Sequence, residues 1–170
     1  MTTEFSYEHV FRAPSAKTIL EAYFDADHLA KQDAVAGLTD RTVVESHDDD
    51  TQRKFVWRVT SQSQLPVFVR PFVKGGKLSF FESMTWRKAD NSVEATVTPD
   101  ILNGRVSIKS MYRLDEVGEG QVRRRRTGSV TANITLLSGK IERSIIAEFD
   151  KGIPQMTKVT QDWLDQKTAG

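Results

Sequence analysis

Cysteine is absent from this chain, which excludes disulfides, thiolate metal sites and a cysteine nucleophile. An excess of one charge is also missing. The 24 Lys and Arg stand against 23 Asp and Glu, a net charge of +1, so no broad field draws the protein to nucleic acid or an anionic membrane. No apolar run approaches the roughly 20 residues of a membrane-spanning helix, so no integral membrane association is expected. Proline and glycine are sparse, 5 and 10 in 170 residues, and neither a low-complexity linker nor an internal repeat divides the chain. One domain over residues 1–170 is expected at this length. A hydrophobic share of 38% with 28% charged residues describes a globular chain rather than a disordered one. Residues 1–12 alternate and carry Glu4 and Glu8, unlike the apolar core of a secretory signal. A cytoplasmic location is expected.

Motifs that carry chemistry are equally scarce. No Gly-x-Ser-x-Gly elbow occurs. Gly75-Gly76-Lys77 is no phosphate loop, because Pro71 holds the earlier glycine position and Leu78 replaces the Ser or Thr. His9, His28 and His47 lack metal-ligand spacing, so neither a metal nor another cofactor is expected. The run Arg123 to Arg126 resembles a nucleic-acid patch only in one dimension. On a strand, Arg123 and Arg125 share one face and Arg124 and Arg126 the other, with no interleaved aromatics. No nucleic-acid partner is expected.

What the chain does have is periodicity. Phe5, Tyr7, His9 and Phe11 alternate with polar residues and predict a strand. After Pro14, Ile19, Leu20, Tyr23 and Phe24 predict a short helix. A second runs from about His28 to Ala36, capped by Asp25 or Asp27 and closed by Gly37. Two helices here would plug one end of a curved sheet. Alternating strands follow: Arg41 to His47, then Phe55, Trp57 and Val59, then Leu78, Phe80, Glu82, Met84 and Trp86. Val93, Ala95 and Val97 continue the series, then Val106, Ile108, Ser110, Tyr112 and Leu114, and finally Val122 to Ile134. Pro66 and Pro71 exclude a central strand over LPVFVRPFV at residues 65–73. That stretch is either ordinary edge packing, or else a mobile apolar lip at the cavity mouth or a contact patch for a partner or membrane surface, anchored by Phe68 and Phe72.

The chain is organised around its last stretch, Ser138 to about Lys167. Ile141, Ile145, Phe149, Ile153, Met156, Val159 and Trp163 recur at steps of three and four, the spacing of one helical face. Ser138 is the expected N-cap, and Glu142 falls among the residues of the polar side. Gly152-Ile153-Pro154 predicts a kink or break at residues 150–154, since Pro154 cannot donate to the Asp150 carbonyl. The class is α+β: a curved antiparallel sheet of about seven strands gripping a long C-terminal helix, with two short helices after strand one.

This order of elements resembles the START-like superfamily, also called SRPBCC or helix-grip proteins. Within it, LPVFVRPFV, ESMTW at residues 82–86 and LSGKIERSI at residues 137–145 are similar to a bacterial family known only as a domain of unknown function. The resemblance implies a cavity between sheet and helix that takes lipids, sterols, polyketides or other apolar molecules, and some members are cyclases or dehydratases. It transfers no functional residue by motif.

Alternation turns His9, Glu82, Tyr112, Arg124 and Arg126 towards the helix. A buried unpaired charge costs several kcal/mol, so Glu82 and Arg124 require partners. Read as a pocket, Trp57, Phe80, Met84, Tyr112, Ile145, Phe149 and Met156 line it, and Glu82 and Arg124 set its polar end. The partner is then an apolar or amphipathic small molecule, lipid-like or aromatic, bound without catalysis. A second reading is a cyclase or dehydratase with Glu82 or His9 as general base. A third is an interaction module whose cavity is filled by large side chains such as Phe55, Trp57, Phe80, Phe81 and Trp86.

Overall fold

The structure is a computed structural model and describes residues 1–169. Strand β1 (Thr2–Arg12) leads into α1 (Ala16–Ala22) and α2 (Ala26–Ala36). Then come β2 (Leu38–Asp48), β3 (Gln52–Ser61), β4 (Leu78–Arg87), β5 (Ser92–Pro99), β6 (Val106–Gly118), β7 (Gln121–Ala132) and α3 (Ser138–Ala169). The fold is the expected α+β helix-grip: one curved seven-stranded antiparallel sheet in the order β1-β7-β6-β5-β4-β3-β2, with α3 laid on its inner face.

Local signals account for the boundaries. The Ser15 hydroxyl accepts the Thr18 amide and caps α1; Asp25 accepts the His28 amide and caps α2. Gly37, at φ +67°, ends α2 in the left-handed conformation that glycine adopts without strain. LPVFVRPFV forms no strand. It contains a 3-10 turn at Arg70–Phe72, and Phe68 packs beside Ile141 and Ile145 near the start of α3. Val67 and Phe72 on the same stretch are exposed.

Antiparallel partners share a face, so the register aligns inward side chains in rows across the sheet. One row is Trp57, Glu82, Val97, Ile108 and Val130; the next is Phe55, Met84, Ala95, Ser110, Gly128 and Phe5. A third is Trp86, Val93, Tyr112, Arg126 and Tyr7, and a fourth is Leu114, Arg124 and His9. Each inward face expected from alternation is observed. His9 shares that face but stays exposed.

Three expectations for α3 are corrected. The Ser138 hydroxyl does not cap the helix; it donates to the Ile134 carbonyl and accepts the Ile134 amide, closing the preceding turn on itself. Of the kink or break expected at residues 150–154, the break does not occur: α3 runs on through Pro154. Asp150 and Pro154 lie on its exposed side, where water can satisfy the carbonyl that proline leaves without a donor. Glu142 is fully buried rather than on the polar side: it accepts the Thr3 hydroxyl at 2.6 Å and the Ala132 amide at 3.0 Å.

The core is divided. The largest cluster joins Phe11, Ile19, Leu20, Trp57, Trp86, Trp163 and Leu164 where α1 and α2 close one end of the sheet. Smaller clusters gather at the other end around Ile141 and around Phe5 and Val130. Helix α3 packs along β1 and β7 and against α2 and α1. It is therefore buried at both ends, while Ile145, Phe149, Ile153 and Met156 in its middle are half-buried.

Candidate functional site

The half-buried middle of α3 lies on the sheet at β1 and β7, and the candidate groove is the region between it and the inner faces of β4 to β7. Alternation aims Phe80 and Glu82 of β4, Tyr112 of β6, and Arg124 and Arg126 of β7 into this space, and all five are half-buried. On α3, Ile145 and Phe149 pack on Phe5, Ile108 and Val130 of the inner face, and Met156, two turns beyond Phe149, is half-buried. Trp57 and Met84 share the inner face but are buried in the large cluster, where Trp57 packs with Phe24 and Phe55. The big aromatics thus gather at the α1–α2 end. Phe81 is on the outer face, exposed, beneath the Arg58 guanidinium.

The structure separates the two charges expected to form a single polar end. Glu82 and Arg124 lie three strands and three inward rows apart. Glu82 instead faces Arg41 of β2 at 3.4 Å, and Arg41 holds Asp33 of α2 by two hydrogen bonds of 2.8 Å. The Arg41 guanidinium also lies over Trp57, 5.3 Å from the ring centroid. Burial opposes its charge, but Asp33 and Glu82 more than offset this, so its pKa stands above the ordinary guanidinium value. Two carboxylates on one guanidinium leave this pole with a formal charge of −1.

The opposite pole is cationic. Arg124 donates to the Tyr23 hydroxyl at 2.9 Å and to the Thr157 hydroxyl at 3.2 Å. Its guanidinium stacks over Phe11 at 4.9 Å and Tyr112 at 5.9 Å. Burial pushes the Tyr23 hydroxyl up, and Arg124 partly reverses that. Arg126 lies among three rings, 5.4 Å from Phe5, 5.1 Å from Tyr112 and 5.0 Å from Phe149. Its one side-chain hydrogen bond, to the Ser110 hydroxyl, is long at 3.4 Å, and its Nε is buried without a partner. Among the described residues neither arginine is within salt-bridge reach of a carboxylate. His9 sits beside Arg124 in register, and the partial desolvation of its otherwise exposed ring, then the arginine charge, lowers its pKa.

Sequence reasoning brought Glu82, Arg124 and Arg126 to the inner face but missed Asp33, Arg41 and Tyr23. Arg41 follows a positive-φ residue, Asp40, within a stretch where the β2–β3 register shifts, so simple alternation could not assign its face. The outer arginines are ordinary: Arg123 and Arg125 both lie near Asp115, at 3.9 and 2.8 Å. Hollows of measurable volume are found elsewhere on the surface. One of about 260 Å³ adjoins Phe24, His47 and Arg53, and one of about 460 Å³ adjoins Met1, Asn133 and Leu136. Among the described residues no cluster of three His, Cys, Asp or Glu is arranged to hold a metal, and no helix is long and apolar enough to cross a membrane.

A curved seven-stranded sheet, two plugging helices and a long gripping helix make up the START-like, helix-grip fold. The solved structures that resemble it agree. TTHA0849 from Thermus thermophilus superposes with a TM-score of 0.64 at 13% identity, covering 97% of this chain and 99% of that one. The ZhuI aromatase/cyclase from Streptomyces sp. R1128 gives 0.70 at 10% identity over 99% and 96%. A START superfamily protein from Mycobacterium smegmatis gives 0.59 at 11% identity over 96% and 97%. The chain belongs to the family described as protein of unknown function (DUF2505), which matches residues 6–164. No curated protein matches it.

Proposed function

We propose that this protein binds an apolar or amphipathic small molecule, lipid-like or aromatic, in the groove between α3 and the sheet, without catalysis. The observation that carries this reading is the half-buried state of Phe80, Tyr112, Ile145, Phe149 and Met156: the first two border the large cluster, and Ile145 and Phe149 border the smaller ones, so these side chains keep accessible apolar surface next to the packed core. Apolar walls with a few placed polar groups are the usual composition of a small-molecule site. In the same reading residues 1–170 act as one helix-grip unit in the cytoplasm.

Native mass spectrometry of gently purified protein, with solvent extraction of any adduct, tests it. A retained lipid-like or aromatic molecule that Phe149→Ala releases is the expected result. A clean mass together with no uptake of the neutral apolar dye Nile red would overturn it.

The likeness to an aromatase/cyclase supports a second reading, an enzyme using the same groove. It expects Glu82→Gln or His9→Ala to abolish turnover of an aromatic polyketide while leaving binding intact. Against it, Glu82 faces the Arg41 guanidinium at 3.4 Å rather than standing unpartnered in the groove.

A further inference from the structure

The groove has one charge arrangement that packing alone does not require. Two guanidiniums occupy adjacent inward positions of β7, Arg124 and Arg126, and both stand within 6 Å of the centroid of one ring, Tyr112. Like charges this close repel, and burying them strips their water. Proteins ordinarily compensate with a carboxylate. Here Glu82 and Asp33 are committed to Arg41 at the other pole. Asp150, on α3, accepts the Tyr7 hydroxyl at 2.7 Å. Glu142 is turned to Thr3 and the Ala132 amide.

The two arginines differ in what their donors do. Arg124 is held by Tyr23 and Thr157, so its plane is fixed. Arg126 has a long bond to Ser110 and a buried Nε with no partner. Its planar fork suits a carboxylate or phosphate oxygen pair, and the Phe5, Tyr112 and Phe149 rings around it provide an apolar collar. Phe149 and Ile145 continue that apolar surface along α3.

We propose that Arg126, with Arg124 beside it, receives the anionic head of the ligand, so that the preferred ligand is an amphiphile with a carboxylate or phosphate head and an apolar tail. This rests on the reading of the groove as a binding site. It adds the sign of the head group and the residue that meets it.

The test compares dodecanoate, dodecyl phosphate, dodecanol and dodecyltrimethylammonium, each below its micelle concentration, as displacers of Nile red from the wild-type protein. The two anions are expected to bind at least tenfold tighter than the alcohol, and the cation weakest. A tighter dodecyl phosphate points to a lipid phosphate, a tighter dodecanoate to a free carboxylic acid. Arg126→Gln should bring the acid to within twofold of the alcohol, while Arg126→Lys keeps part of the preference. Equal binding of acid and alcohol by the wild type, with both displacing the dye, overturns the anionic head while leaving the groove reading intact. Failure of the dye and all four compounds to bind overturns the groove reading and this proposal with it. The wild-type comparison decides the matter even if Arg126→Gln does not fold.

Discussion

The Arg41 guanidinium on β2 grips the Asp33 carboxylate on α2 through two hydrogen bonds of 2.8 Å, with both side chains 12% exposed. This pair ties the plugging helix to the edge strand of the sheet, and Glu82 of β4 joins it at 3.4 Å. Arg41→Met removes the shared cation and leaves two nearly buried carboxylates facing each other. A loss of about 3 kcal/mol is expected, as for other broken buried pairs. Asp33→Asn should cost less, because Glu82 still answers the guanidinium. Urea unfolding of the two variants measures the order, and an Arg41→Met protein as stable as wild type would show that the pair is neutral.

Glu142 performs a comparable task at the other end of the helix. Its carboxylate joins Thr3 of β1 and the Ala132 amide at the end of β7 to the first turns of α3. Glu142→Ala leaves that amide only its longer bond to the Met1 carbonyl, at 3.3 Å, and takes the acceptor from the Thr3 hydroxyl, so it should cost about 1–3 kcal/mol. Glu142→Gln keeps one acceptor oxygen, so about half of that loss is expected. Thermal unfolding at neutral pH distinguishes the two.

His28 makes stability depend on pH. It is fully buried, with Nε2 3.0 Å from the Thr160 hydroxyl and its ring edge-on to Trp163. Burial lowers its pKa to about 4, offset in part by the Ala22 carbonyl and Asp25. The unfolded chain takes up a proton near pH 6.5, before the folded one does. Between those values the unfolded state binds more protons, so stability rises with pH there and is lost as pH falls towards 4. The full effect of such a difference is about 3 kcal/mol. Urea midpoints measured from pH 7.5 down to pH 4 should fall for the wild type and fall less steeply for His28→Gln. Identical slopes would remove His28 from the account.

Two glycines should respond in opposite directions. A Cβ on Gly128 would meet the Lys109 carbonyl oxygen at 2.2 Å and the tip of the Phe5 ring at 2.6 Å. Gly128→Ala should therefore cost roughly 1–3 kcal/mol by overpacking. A Cβ on Gly152 meets nothing within 4 Å in the unbroken helix α3. Gly152→Ala should stabilise by about 0.5–1 kcal/mol, through a less entropic unfolded chain. Calorimetric Tm values test both. A destabilised Gly152→Ala would argue that α3 needs a bend there.

Much of the fold was legible in the sequence, because it rests on short-range patterns. Period-two alternation turned Tyr112, Arg124 and Arg126 inward, and the register of β6 and β7 agrees. Asp25 and Gly37 marked the ends of α2. Where local rules competed, the reading failed. Ser138 looked like a cap, yet its hydroxyl finds both partners in Ile134. Pro154 looked like a break, yet the helix absorbs it on its exposed side. Glu142 looked solvent-facing because its two partners, Thr3 and Ala132, lie on strands β1 and β7, and no helical period reports them.

By itself the sequence determined the secondary structure, the inward faces and the α+β class, since backbone periodicity and turn chemistry act over a few residues. Only the tertiary structure decided which inward charges meet. It joined Glu82 to Arg41 and Asp33, and it left Arg124 and Arg126 together among aromatic rings. That division follows from strand order. Side chains on one face become neighbours only when their strands pair, and here the pairing brings β1, from one end of the chain, against β7, near the other.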